Sequence, residues 1–198
     1  MSIECRGRRA METKQKKEKN ELWEWTKALI IAFALAAFIR YVLFTPIVVD
    51  GESMMPTLHS GDRMVVNKVS YKISDIHHSD IVVFHAPEKR DYIKRVIGLP
   101  GDTIEYKNDV LYRNGKAIDE PYLQQFKKAI QDGGTLTEDF QLQDYVQKDR
   151  VPEGYVFVMG DNRRNSKDSR HIGLIPENKI IGKASIVFWP LDQFGLVK

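Results

Sequence analysis

The 198-residue sequence predicts a mainly β fold: an antiparallel barrel or sandwich-like domain preceded by one N-terminal transmembrane helix. Three observations predict it. A long run near the N-terminus is apolar on every side, short β-branched segments follow it, and no long amphipathic helix separates those segments as βαβ units would require. With 42% hydrophobic and 29% charged residues the chain is globular rather than disordered, and no internal period marks a repeat array. Its length suits one core. The single cysteine, Cys5, excludes an internal disulfide framework and any zinc site built from two or more thiolates.

Residues 1–26 form a basic tail. Through Lys27 the chain carries eight basic and five acidic residues, whereas from residue 45 onward 21 basic residues face 22 acidic ones. The excess positive charge thus belongs to the tail and the Lys27 that follows it, which argues for a membrane surface rather than nucleic acid. The apolar run follows at 27–44, reading ALIIAFALAAFI from Ala28 to Ile39. Eighteen residues make about 27 Å of helix, close to the thickness of a bilayer core. Arg40 can snorkel to the head groups beside Tyr41. The alternatives are a buried core helix and a cleaved signal peptide. The first would need a core around it, and Val48-Val49-Asp50 makes a poor small-residue cleavage site for the second. An uncleaved anchor in contact with lipid is expected, its tail cytoplasmic by the positive-inside rule and residues 45–198 across the membrane.

Strands are expected at 63–69, 80–85, 92–97, 110–113, 155–159 and 180–189, where β-branched and aromatic residues cluster between Gly and Pro. In VLYRNGKAID, Asn114-Gly115 supplies the positive φ angles of a tight hairpin turn. Residues 122–149 are polar, contain Gly133-Gly134, and read as an insertion of unassigned shape.

Most signatures of chemistry are absent: no G-x-S-x-G, S-x-x-K, H-E-x-x-H, phosphate-binding or dinucleotide-binding loop. No cofactor or metal is expected. Nothing selects among His59, His77, His78, His85 and His171, and the adjacent His77-His78 read as a solvated loop rather than a metal site. Three segments stand out: Gly51-Glu52-Ser53-Met54-Met55-Pro56-Thr57-Leu58, then Tyr92-Ile93-Lys94-Arg95 running on to Gly101-Asp102, and finally Gly160-Asp161-Asn162-Arg163-Arg164-Asn165-Ser166-Lys167-Asp168-Ser169-Arg170. In this order, and with Gly61-Asp62 through Asn67-Lys68, they resemble the bacterial type I signal peptidases over most of the chain from Trp25 to Trp189.

That resemblance implies a serine endopeptidase with Ser53 as nucleophile and Lys94 as general base. Lysine can act as a base only when neutral, and an ordinary lysine of pKa about 10.4 is neutral in roughly one molecule in a few thousand at pH 7. Val96, Ile97 and Leu99 could supply the dry setting that lowers it. Ser166 matches a residue that hydrogen-bonds and orients the lysine; Asp161, Arg163, Asp168 and Arg170 match residues that brace the site, the last two as an ion pair. The Ser53 N–H is the expected oxyanion donor. Where some members carry a hydroxyl two residues before the nucleophile, this chain has Gly51, which points to the Gram-positive branch and a backbone or water donor.

Simpler readings stand beside these. Met54 and Pro56 are expected near the substrate, although Met54 and Met55 could be core filler or face lipid and Pro56 could merely shape a turn; Lys94 alone would be a surface lysine; Asp161 to Arg170 alone would be a solvated loop. Ser53 lies nine residues beyond Phe44, a reach of at most about 30 Å, so a membrane anchor would hold it near the outer surface. Secretory signal peptides present their A-x-A-like cleavage sites there, making secretory preproteins the expected partner. The alternatives are a self-processing Ser-Lys protease and a membrane-tethered β-domain that binds a partner without catalysis.

Overall fold

The structure, a computed structural model, describes residues 21–38, 44–68 and 75–197. Most of the basic tail with Cys5, Arg40 and Tyr41 of the expected anchor, and Val69 lie outside the described residues. The chain divides into two units, Met1–Leu43 and Phe44–Lys198.

In the first unit residues 21–38 are helical. The helix already includes residues 21–26, which contain no breaker and whose Trp23 ring lies 5.1 Å beneath the Lys27 Nζ one turn on. Leu29, Ile30, Ile31, Phe33 and Phe38 are exposed. Among the described residues no helix is long and apolar enough to cross a membrane. Residues 39–43 of the expected span lie outside the description, and Phe44, its last residue, opens a strand.

In the second unit every strand pairing among the described residues is antiparallel. Its larger sheet runs β1 (Phe44–Val48), β2 (Arg63–Asn67), β11 (Ile180–Trp189), β3 (Ile81–His85), β4 (Asp91–Gly98), β9 (Tyr155–Met159) and β10 (Ile175–Pro176), with β12 (Gly195–Leu196) on β11. A smaller sheet orders β7 (Lys116–Ile118), β6 (Val110–Arg113), β5 (Ile104–Lys107) and β8 (Phe140–Gln141). All six expected strands are present within two residues at each end. The Asn114-Gly115 turn joins β6 to β7 with φ of 52° and 74°.

The larger sheet is covered on both faces, so its central strands are apolar at successive positions rather than alternating. In β3, Ile81 and Val83 pack with Val49, Met54, Leu58 and Met64. Val82 and Phe84 pack instead with Val96, Val156 and Val158. A third core, under the smaller sheet, gathers Ile97, Ile104, Tyr106, Leu111, Phe140 and Phe157.

The insertion at 122–149 is ordered and belongs to that third core. It continues the turn Pro121–Leu123 into a short helix Gln124–Ala129, supplies β8, and ends in a helix Leu142–Val146 closed at its start by a reciprocal Gln141–Asp144 cap. Phe140 stacks on Tyr106 with ring centres 5.1 Å apart, and Leu123, Leu136 and Leu142 are buried.

Candidate active site

β4 positions the site by pairing unevenly. β3 pairs β4 along its length from Asp91 to Arg95, whereas β9 joins its other side only from Arg95 onward. A stretch of strand edge at 91–94 is therefore open. At the far end of the sheet β1 pairs only with β2 among the described residues. A groove of about 690 Å³ is lined from β1 and its continuation by Ile47, Val49, Gly51 and Ser53, and from β4 by Ile93 and Lys94.

Ser53 lies in a tight turn after β1, pinned on either side. Met54 and Leu58 are 1% and 0% exposed and hold the turn in the core. The Ser53 carbonyl accepts from Asn162 N at 3.0 Å, and the Glu52 carbonyl from Asn162 Nδ2 at 3.1 Å. This docking requires Gly160: a Cβ there would collide with the Ser53 carbonyl oxygen and with Ser166. Lys94, 3% exposed, donates from Nζ to Ser53 Oγ at 2.8 Å and to Ile93 O at 2.9 Å, and lies 5.1 Å from the Tyr92 ring centre. Burial pushes its pKa down to about 8, against the pull of Asp168 and Asp161, whose charges favour the ammonium.

The third motif builds the wall behind this pair. Asp161, fully buried, receives Arg95 through two bonds, from Nε at 2.8 Å and from a terminal nitrogen at 2.7 Å. Arg163, also buried, donates to the Gly160 carbonyl at 3.1 Å and to Glu120 at 2.6 Å. Asp168 accepts Gly160 N at 3.0 Å and pairs with Arg170 at 2.8 Å, while capping the short helix Ser169–Ile172. Burial alone would raise the Asp168 carboxyl, but Arg170 and the Gly160 N–H hold it below the usual carboxylate range. Glu120 likewise would be raised by burial and is held low by Arg163.

The structure thus gathers Ser53, Lys94, Asp161, Arg163, Asp168 and Arg170 into one connected region. The Ser166 hydroxyl, expected to bond Lys94, is buried without a well-formed hydrogen bond, and the charge it favours is that of Asp168. Gly51 has φ of 93°, a left-handed value that suits glycine, and its N–H donates to Ser60 Oγ at 3.3 Å. No acceptor among the described residues takes up the Ser53 N–H. Met54 is a core side chain that also lines the groove, whereas Pro56 does not line it. His78 Nε2 lies 2.6 Å from Asp102, and His77 is exposed. Among the described residues no cluster of His, Cys, Asp and Glu could hold a metal ion.

Sequence reasoning missed Arg95, Glu120, Tyr106 and Tyr122. Arg95 follows Lys94 in a strand and so points to another face, which was a usable signal. Glu120 and Tyr122 lie outside the three motifs, and nothing local distinguishes them. Yet Tyr122 covers the Arg95 guanidinium at 3.8 Å from its ring centre, and both tyrosine hydroxyls donate to Glu120.

Comparison with known proteins bears on this arrangement. Residues 22–189 match the family described as signal peptidase, peptidase S26. A signal peptidase I of Bacillus caldolyticus is 52% identical over 183 residues, covering 92% of this chain and 98% of the relative. A signal peptidase IB of Staphylococcus aureus is 46% identical over 180 residues, covering 89% and 94%. The crystal structure of a signal peptidase I from Enterococcus faecalis V583 superposes with a TM-score of 0.54 at 39% identity, covering 56% of this chain and 97% of that one.

Proposed function

We infer the function of this chain from the premise that it belongs to the signal peptidase family, peptidase S26: it is a serine endopeptidase that removes signal peptides from secreted preproteins. Ser53 is the nucleophile and Lys94 its general base. The observation that carries this assignment is the 2.8 Å contact between Lys94 Nζ and Ser53 Oγ at the side of an open groove.

Neutral Lys94 takes the Ser53 proton as Oγ attacks the scissile carbonyl carbon. The negative charge that develops on the carbonyl oxygen is met by the Ser53 N–H, with Gly51 leaving room for a water or a backbone donor beside it. The Lys94 ammonium then gives its proton to the departing amine, leaving an ester on Ser53. Water, deprotonated by Lys94, attacks that ester, and the Lys94 ammonium returns the proton to Ser53 Oγ as the signal peptide leaves with a free carboxylate. Asp161, Arg163, Asp168, Arg170 and Ser166 are positioning residues that fix the walls against which the pair is held.

The preprotein lies in the groove as an added strand, paired to the open edge of β4 at 91–94. Alternate side chains then face the protein, so the first and third residues before the cut bond meet the apolar lining of Ile47, Val49, Val83 and Ile93. The apolar run as far as the start of β1 at Phe44 anchors the enzyme in the cell membrane, with the tail 1–26 cytoplasmic and the domain from Phe44 onward outside. The basic tail and the exposed apolar helix support that placement. The catalytic reading is tested with detergent-solubilised full-length protein and a preprotein carrying Ala at both positions. A single cut after the second Ala is expected, lost when either Ala becomes Leu; cleavage indifferent to both, or none, contradicts it.

A further inference from the structure

A second groove, of about 780 Å³, shares a wall with the first: Asn165 and Lys167 line both. Its opposite side is Gly134, Thr135 and Leu136 of the insertion. Arg164 fastens that side by donating to Thr135 O at 2.6 Å and to Asp132 at 2.6 Å. The two grooves differ in character. The apolar side chains Ile47, Val49, Val83 and Ile93 line only the first, whereas Arg164, Lys167, Arg170 and His171 surround the second with Glu138 the one acid among its lining residues.

The cations there are not equally committed. Arg170 is held by the buried Asp168. Lys167 and Arg164 pair with Glu88 and Asp132 at the surface, all four side chains being 43% to 60% exposed. An exposed pair of this kind contributes little, so Lys167 can exchange Glu88 for a carboxylate on an incoming chain at small cost, while Arg164, held by Thr135 as well, adds its charge in place. Asn165 and Lys167, which line both grooves, give a substrate whose small residues occupy the apolar part of the first groove a path into the second.

We propose that the second groove binds the extended segment of the preprotein that follows the cut bond, and that Lys167, aided by Arg164, favours acidic side chains in its first few positions. This rests on the reading of Ser53 as the nucleophile in the first groove, and it gives the insertion at 122–149 a role in substrate binding.

The test uses full-length enzyme in detergent with three preproteins identical except for Glu, Gln or Lys at the second to fourth positions after the bond. Wild type should prefer Glu to Gln by about two- to fivefold in kcat/KM at low salt, chiefly through KM, and the preference should shrink at high salt. Lys167→Glu should reverse the order so that the Lys substrate is cut best, an inversion that mere loosening of the loop cannot produce. Equal cleavage of Glu and Gln substrates by wild type, or an unchanged order in Lys167→Glu, overturns the proposal. Failure to cut any of the three overturns the nucleophile assignment and the proposal with it.

Discussion

Lowering the pH from 9 to 6 should switch the enzyme off through one group, Lys94. Its pKa of about 8 is set mainly by burial. The neutral, competent fraction is then about nine in ten at pH 9, one in ten at pH 7 and one in a hundred at pH 6. Single-turnover kcat/KM on a preprotein should therefore rise about tenfold per pH unit up to pH 7.5 and level off above pH 9. An unburied lysine would give a different curve, still climbing tenfold per unit beyond pH 9. The same shift has a sign in stability. Between about pH 8 and 10.5 the unfolded chain binds a proton at this position that the folded chain has lost, so stability rises with pH across that window, by roughly 3 kcal/mol from this group alone. Lys94→Met should lack this increment in urea unfolding followed from pH 7 to 10.5. A rate profile flat from pH 6 to 9, or identical unfolding profiles for the two proteins, would refute the burial argument.

Two substitutions test the support of the pair. Gly160→Ala places a methyl against the Ser53 carbonyl, a backbone atom that cannot swing aside, so kcat should fall about a hundredfold or more while circular dichroism shows a folded domain; near-normal kcat would contradict the close packing. Glu120→Gln leaves the Arg163 guanidinium buried without its charge partner and should destabilise the domain by about 3–5 kcal/mol, read from the urea midpoint. A loss under 1 kcal/mol would mean that Arg163 is satisfied by its remaining neutral partners, Gly160, Tyr106 and Thr137 among them.

Legibility in the sequence followed the range of the interactions. β6, β9 and β11 could be read to the residue because their β-branched runs are bounded by Gly, Pro or Asn-Gly. β10 and β12 are two-residue pairings fixed by neighbours far along the chain, and no local pattern encodes them. β5 did carry an alternating signal in Ile104-Glu105-Tyr106-Lys107, whose apolar members are buried. β1 was obscured by its continuity with the apolar run, which hid the point where helix gives way to strand. In the site, Ser53 and Lys94 were legible through their motifs, although 41 residues separate them. The bracing by Glu120 and Tyr122 was not, because Glu120 lies just before the insertion and Tyr122 at its start, outside every motif, and they meet Arg163 and Arg95 only through the fold.

The most direct test of the Ser53–Lys94 assignment is preprotein cleavage by full-length wild type beside Ser53→Ala and Lys94→Ala, each checked for folding. Both variants should be folded and should leave the preprotein uncut over the time in which wild type processes it fully. Cleavage at the same bond by either folded variant would contradict the assignment.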